Sequence, residues 1–417
     1  MKFIHAADIH LDSPLTGLGA YGQAAERPRN ATREAFANLI DAALEREADF
    51  LIIAGDLYDG PWKDYNTGVY FCRHMGRLHQ AGIPVFLLFG NHDAESEMTK
   101  KLELPPNVHI FDARKPATFK LDGLKTALHG QSFRQKEITA NLAAGYPPPV
   151  PGFYNIGVLH TALGGYARHA NYAPCALAEL QAKGYDYWAL GHVHERQIWP
   201  GPPAVAFPGN LQGRHAREPG PRGALWVELD DAGAARISNL EVDVLRWGLL
   251  GIDVAECRRF ADVINLIRAR LEATLAADDS GKPLALRIEL HGATPAHGEL
   301  FGLEAQLRAE AQAAAESLNP DRLWLEKVKI RTASPNADAA IAARADALSD
   351  MQELLIAAES DPEFVAGLQA ELLKLVNKAP LELQTEAAYF QDVRAGQLAA
   401  LIGEARSGLL AHLAAAE

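Results

Sequence analysis

The chain has 417 residues, 48% of them hydrophobic and 22% charged, which is ordinary for globular protein and too long for one compact core, so two or three domains are expected. The cysteines Cys72, Cys175 and Cys257 are few and far apart, which excludes a disulfide framework and reads as reduced structural thiols; no apolar run reaches bilayer length, and the opening residues lack a secretory pattern, which points to the cytoplasm. The formal net charge of −13 does not exclude an anionic polymer as substrate, because 13 acids against 5 bases lie from Ala333 onward, a net of −8 in the tail, and bound divalent cations would bring the remainder nearer neutrality.

Up to about residue 245 strands alternate with helices. The runs "KFIHAA", "DFLIIAG", "IPVFLLFG", "YNIGVLH" and "DYWALGH" are short, apolar and bounded by polar or glycine residues, the pattern of buried strands. Between the first two, Phe36, Leu39, Ile40, Ala43 and Leu44 recur at helical spacing behind an expected cap at Thr32, so the class is α/β. "GYPPPVPG" reads as a loop. The later strands around "AVAFPG" and "GALWVELD" lack long intervening helices, which predicts mixed or antiparallel pairing there. From Trp247 to about Thr332 a small α/β unit restarts. Beyond it the chain is helical, with Phe364, Leu368, Leu372 and Leu375 on one stripe and Leu398, Leu401, Ile402, Leu409 and Leu413 on another. The expected domains are therefore 1–245, 246–333 and 334–417.

The buried strands end in metal-binding side chains: Asp8 and His10 in "ADIH", Asp56 and Asp59 in "GDLYD", Asn91, His92 and Asp93 in "GNHD", His160 in "GVLH", and His192 and His194 in "GHVH". Strand carboxyl ends line one edge of an open α/β sheet, so these groups can converge although they are spread along the chain. A pair of cations needs one carboxylate that bridges them, and Asp56 is the candidate. Carboxylate, imidazole and amide donors together suit manganese, iron or zinc better than magnesium or calcium, and manganese is favoured. Water activated by such a pair attacks phosphorus directly, so no serine or cysteine nucleophile is required. One Asp or His at a strand end is commonly a turn former; the ordered set is what implies a site. Asp93 reads as a loop cap, and His5, His109, His129 and His169 match no motif and read as structural or solvated. Arg214, His215 and Arg217 in "QGRHARE" are candidates for substrate phosphate, with a solvated loop as the alternative.

In this order the motifs resemble the five-motif signature of the calcineurin-like metallophosphoesterases. "FIHAADIHLDSPLTGL" and "FPGNLQGRH" resemble more closely the DNA-repair exonucleases of the SbcD type and their YhaO-like branch, over roughly residues 1 to 230. The resemblance implies a layered β-sheet domain flanked by helices, a small α/β capping domain and a helical C-terminal segment. It implies that Asp8, His10, Asp56 and His194 hold one metal and that Asp56, Asn91, His160 and His192 hold the other. His92 would face the scissile phosphate, oriented by Asp59. Where typical SbcD proteins read Trp and Gly, this chain has Ile9 and Asp12, a departure in a loop expected to touch substrate.

The capping domain would guide DNA, with Arg258, Arg259, Arg268 and Arg270 on backbone phosphates or merely solvated. The acidic tail would dock an SbcC-like or YhaN-like ATPase or simply pack on its own domain, and a homodimer is compatible with the family. No phosphate-cradling Gly-rich loop with its Lys-Ser/Thr is present, so any ATP-driven step belongs to a partner. The expected function is a two-metal-dependent DNA phosphodiesterase of DNA repair, acting as an exonuclease, with endonuclease action as an addition. The alternatives are a small-molecule phosphoesterase acting on nucleotides or phosphomonoesters, against which the extra domains speak, and a non-catalytic scaffold, whose mark would be missing ligands.

Overall fold

A computed structural model of the chain describes residues 1–15, 18, 26–59, 65–94, 103–164, 172–230, 233–335, 347–379 and 388–415. They fall into two compact units, residues 1–248 with 282–285 and residues 249–281 with 286–417.

The first unit begins with β1 (Lys2–Ala6), α1 (Glu26–Glu45), β2 (Phe50–Ala54), α2 (Tyr65–Gln80), β3 (Val85–Leu88), α3 (Asn91–Ala94) and β4 (Val108–Ile110). It continues with β5 (Ala117–Leu121), β6 (Thr126–Gly130), β7 (Tyr154–His160), α4 (Leu177–Ala182), β8 (Tyr187–Gly191), β9 (Gln197–Trp199), β10 (Ala204–Phe207), β11 (Gly223–Leu229) and β12 (Ala235–Glu241). These strands make two six-stranded sheets, ordered β12-β11-β1-β2-β3-β4 and β5-β6-β7-β8-β10-β9. Strands β1 to β4 run parallel, as do β6, β7, β8 and β10, while β11 adds antiparallel to β1 and β12 antiparallel to β11. The late, helix-poor strands thus pair as their sequence predicts. The five ligand-bearing strands, however, are divided between two sheets instead of sharing one.

Alternation along each strand builds the layers. Phe50, Ile52 and Ala54 of β2 join Phe3, Phe86, Leu128, Ile156, Tyr187 and Ala189 in a core between the sheets. Leu51 and Ile53 point the other way, onto Phe36, Leu39, Ile40 and Ala43 of α1 and Phe71, Met75 and Leu78 of α2. On the far side of the second sheet, Trp188 and Leu190 of β8 pack with Leu159, Leu180 and Tyr185. Thr32 does not cap α1, as expected from the sequence, because the helix starts more than a turn earlier; its hydroxyl instead accepts the backbone N–H of Asp12 at 3.1 Å.

The second unit holds most of a three-stranded sheet of β13 (Arg246–Asp253), β14 (Leu284–Ala293) and β15 (Leu323–Ala333), with α5 (Phe260–Ala277), α6 (His297–Gly302) and α7 (Glu304–Leu318). Val263, Ile267 and Leu271 give α5 one buried stripe at helical spacing, and Leu307, Ala311, Ala314 and Ala315 do the same for α7. Arg287 grips Glu326 with two 2.7 Å hydrogen bonds. The chain then forms α8 (Ala347–Ser360), α9 (Pro362–Val376), α10 (Ala388–Ala395) and α11 (Ala399–Ala415). Asp361 caps α9 by accepting from the backbone N–H of Glu363 at 2.9 Å, with Pro362 in the first turn. Val376, Val393, Leu398 and Ile402 form the core of these helices, with Leu368 and Leu372 packed on it. Gly408 of α11 lies so near Phe301 of α6 that a Cβ would fall 2.5 Å from its ring, so the C-terminal helices share one unit with the sheet of β13 to β15. No helix of the described residues is long and apolar enough to cross a membrane.

Gly157 in the middle of β7 backs directly onto Trp188, and a Cβ there would fall 2.4 Å from the indole. Gly157→Ala is expected to destabilise the first unit by about 1–3 kcal/mol through overpacking, read as a lower urea midpoint at unchanged slope.

Candidate metal centre

Five strand ends supply the candidate ligands. Asp8 and His10 follow β1, Asp56 and Asp59 follow β2, Asn91 and His92 open α3 behind β3, His160 ends β7, and His192 and His194 follow β8. Two glycines let the rims of the two sheets close on each other. Gly55 has φ +100°, and a Cβ there would fall 2.2 Å from Nδ1 of His160; a Cβ at Gly191 would fall 2.0 Å from the carbonyl oxygen of Ala54. No side chain fits in either gap, which is the physical reason glycine precedes Asp56 and His192.

The loops that carry the ligands are held in sparsely populated conformations. Asp8, His10, Asp56 and His192 have φ of 50°, 45°, 52° and 101°, each costing about 1–3 kcal/mol that the surroundings must offset. Backbone bonds lace the loop after β1 to the loop after β2: Asp8 N–H to Gly55 O at 3.0 Å, His10 N–H to Asp56 O at 3.0 Å and Leu11 N–H to Leu57 O at 2.9 Å. The buried Asp93 carboxylate accepts backbone N–H groups of Leu57 at 3.1 Å, Tyr58 at 2.9 Å and Gly90 at 3.0 Å, so it ties the β2 loop to the β3 loop, beyond the local cap its position suggested. Asp12 accepts from Arg33 at 2.5 and 2.7 Å and from Thr67. Its departure from the typical pattern is therefore absorbed by a clamp onto α1 and α2.

The side chains gather into adjoining sets. Ligand atoms of Asp8, His10 and His194 lie within 4.8 Å of one another, as do those of Asp56, His160 and His192. Oδ2 of Asp56 is 3.4 Å from Nε2 of His160 and 4.0 Å from Nε2 of His10, so one carboxylate faces both sets. Oδ1 of Asn91 is 3.0 Å from Nε2 of His160. The Asp8 carboxylate accepts the backbone N–H of His192 at 3.0 Å, and Asp56 accepts that of His92 at 3.0 Å. His92 itself stands at the edge, half-buried, with Nδ1 3.4 Å from Oδ1 of Asp59; the same oxygen is 3.3 Å from Nδ1 of His10.

The donor set fits divalent cations on a geometric ground. Nδ1 of His194 lies 2.7 Å from Glu218 and Nδ1 of His10 faces Asp59. Carboxylates accept, so His194 carries its proton on Nδ1; with the Asp59 carboxylate favouring the same tautomer in His10, the two Nε2 lone pairs face one another at 3.1 Å. That contact is repulsive unless a cation lies near both. The electrostatics agree. Burial, opposed by His160 and reinforced by Asp56, pushes the pKa of Asp8 up to about 8. Burial pulls that of His10 down to about 3. Burial would also lower His160, but the charge and hydrogen bond of Asp56 raise it to about 9. Asp59 is held well below the usual carboxylate range, since His10, Arg214 and Ser13 outweigh its burial. Such competing demands mark a cluster short of positive charge.

Of the candidate substrate groups, Arg214 reaches the cluster: its guanidinium lies 3.5 Å from Oδ1 of Asp59, 3.4 Å from Nδ1 of His194 and 3.4 Å from Ser13 Oγ. His215 is half-buried with Nε2 3.7 Å from Glu218, and Arg217 is exposed on the same turn. His5 is buried in β1 and hydrogen bonds Tyr187 and the carbonyl of Leu190; His129 bonds Thr118 and Asn155. His109 stacks on Phe86, and His169 lies outside the described residues. Sequence reasoning passed over Glu218, Asn210 and Ser13. Glu218 closes "QGRHARE", but nothing local to that stretch signals that its carboxylate is buried beside a histidine 24 residues earlier.

Residues 1–196 match the calcineurin-like phosphoesterase family, and residues 247–333 match the middle domain of metallophosphoesterase YhaO. The chain is similar to the uncharacterized metallophosphoesterase YhaO of Bacillus subtilis, with 33% identity over 71% of this chain and 72% of that protein. It is 25% identical to the DNA double-strand break repair protein Mre11 of Methanopyrus kandleri, over 67% of this chain and 65% of that one. Among solved structures, a dimetal phosphatase from Danio rerio aligns with TM-score 0.38 and 11% identity, covering 58% of this chain and 98% of that one.

Asp93→Ala would strand three buried backbone N–H groups between the β2 and β3 loops. It is expected to lower the unfolding free energy by about 3 kcal/mol or more, measured by urea denaturation of the metal-free protein.

Proposed function

This chain belongs to the calcineurin-like metallophosphoesterases, in the YhaO branch, and as a metal-dependent phosphodiesterase we propose that its substrate is DNA, cut exonucleolytically and also endonucleolytically in repair. The observation that carries the two-metal reading is Asp56, a single buried carboxylate facing the His10 and His160 sides of the cluster at once. Asp8, His10, Asp56 and His194 would hold one ion and Asp56, Asn91, His160 and His192 the other. When bound, such a pair supplies Lewis-acid activation of water and of the phosphoryl oxygens. The mixed carboxylate, amide and imidazole donor set suits manganese, iron or zinc; the hard oxygen share favours manganese, with iron or zinc as alternatives.

The protein's own groups do the rest. Half-buried His92 faces the scissile phosphate at the rim of the cluster and donates a proton to the leaving oxygen, with Asp59 orienting its Nδ1. Arg214, flanked by Asp59, positions a substrate phosphate, with His215 and Arg217 on the same turn. Two features support DNA over a compact substrate. The DNA double-strand break repair relative spans 67% of the chain. The second unit also exposes Arg258, Arg259, Arg268 and Arg270, where duplex phosphates can be met.

The acidic C-terminal helices are the docking element for an SbcC-like or YhaN-like ATPase of the cytoplasm. They present an apolar groove of about 250 Å³ lined by Leu355, Phe364, Leu368, Leu372, Leu401 and Leu409. An amphipathic partner helix with a basic flank complements both that groove and the tail's net charge of −8.

Manganese-loaded protein is expected to degrade end-labelled DNA, and His92→Ala to slow this by about 10²–10⁴-fold with both metals still bound by elemental analysis. Equal rates in the two proteins would remove the acid role. A parallel panel of cyclic nucleotides and phosphomonoesters decides the substrate: faster turnover there than on DNA would favour a small-molecule phosphoesterase. Phe364→Arg, at an exposed groove position, is expected to abolish co-purification of the ATPase at unchanged DNA cleavage; retention of the partner would refute docking through this groove.

A further inference from the structure

Resting on the two-ion assignment above, we propose that Glu218 is a positioning residue that sets the tautomer of His194 and thereby builds one of the two metal sites and not the other. The carboxylate is buried and both its oxygens are used. Oε1 accepts from Nδ1 of His194 at 2.7 Å, while Oε2 accepts from Nδ2 of Asn210 at 2.9 Å and from the backbone N–H of Arg214 at 2.7 Å. Arg222 holds the same histidine from behind, donating to its backbone carbonyl and to Oδ1 of Asn210. His194 is thus fixed at its main chain and at its ring, with the lone pair of Nε2 directed at the Asp8 and His10 side of the cluster.

The two sites differ in this backing. His194 gives its Nδ1 proton to a carboxylate, Glu218, and Nδ1 of His10 lies 3.3 Å from the Asp59 carboxylate, whereas His160 gives its own to the neutral carbonyl of Ala54 at 2.9 Å. A carboxylate behind an imidazole raises its basicity and locks its tautomer, and losing such a partner typically costs about 10–100-fold in metal affinity. That cost falls on the site containing His194.

Glu218→Gln keeps the size and shape of the side chain but replaces one acceptor by a donor. The amide satisfies Asn210 and the Arg214 backbone together only by turning its oxygen to them, which sets its NH2 against Nδ1 of His194. The histidine then carries its proton on Nε2, where the ion must bind. The isosteric variant therefore harms this site as much as Glu218→Ala does.

The test is calorimetric titration of metal-free protein with manganese, paired with nitrogen-15 histidine spectra, in wild type, Glu218→Gln, Glu218→Ala, His194→Ala and the Glu218→Ala/His194→Ala double variant. Wild type is expected to take up two ions. Each Glu218 variant is expected to keep one at wild-type affinity and weaken the other about 10–100-fold. The double variant is expected to be no worse than His194→Ala, and in Glu218→Gln the His194 resonance, assigned by its loss in His194→Ala, shifts from the Nδ1–H to the Nε2–H tautomer. Wild-type affinity for both ions in Glu218→Gln, equal weakening of both, or additive losses in the double variant would overturn the proposal. Uptake of fewer than two ions by wild type would instead overturn the two-ion assignment, and the tautomer shift in metal-free protein would still decide the role of Glu218.

Discussion

Two carboxylates buried where two β-sheets meet set the terms for the rest of this molecule. Asp8 and Asp56 sit beneath almost complete burial, beside each other and among the rings of His10, His160 and His194. Removing charge from water costs several kcal/mol per ion even after relaxation. Backbone N–H groups of His192 and His92 meet part of that demand, and imidazoles meet some of the remainder. The remainder calls for positive charge, and the ring nitrogens Nε2 of His10 and His194 converge there at 3.1 Å.

Such a cluster survives only if its loops cannot relax. Four of its residues hold left-handed backbone angles, which isolated loops of this composition would abandon. The restraint comes from groups outside the candidate ligand set. Asp93 binds three backbone donors from two loops, Asp12 is clamped by Arg33 and Thr67, and Gly55 and Gly191 let the sheets approach closely enough for His160 to reach the carbonyl of Ala54. Rigidity of this kind is what a centre acting on phosphate esters requires, since ligands that shift by an ångström lose both affinity and alignment.

The second unit works by different rules. Its sheet is small, its helices α5 and α7 are amphipathic, and the stripes along α9 and α11 are used in two ways: Leu368, Leu372, Leu398 and Ile402 pack among themselves, while Phe364 and Leu375 remain exposed.

The motif residues, their order and the existence of strands before each of them were legible in the amino-acid sequence, because strand periodicity and strand-end polarity are local properties. So were the α/β class and the metallophosphoesterase membership, since Asp8, His10, Asp56, Asn91, His160, His192 and His194 each stand beside their strand in a recognisable short run. Local pattern misplaced the start of α1 at Thr32 and could not say that the strands divide into two sheets, because pairing partners are chosen by packing between distant segments. Nor could it single out Glu218 from the other charged residues of "QGRHARE". That residue's role is decided by a 2.7 Å contact with a histidine from another strand end, and burial of a carboxylate is a property of the assembled fold, not of its neighbours in the chain.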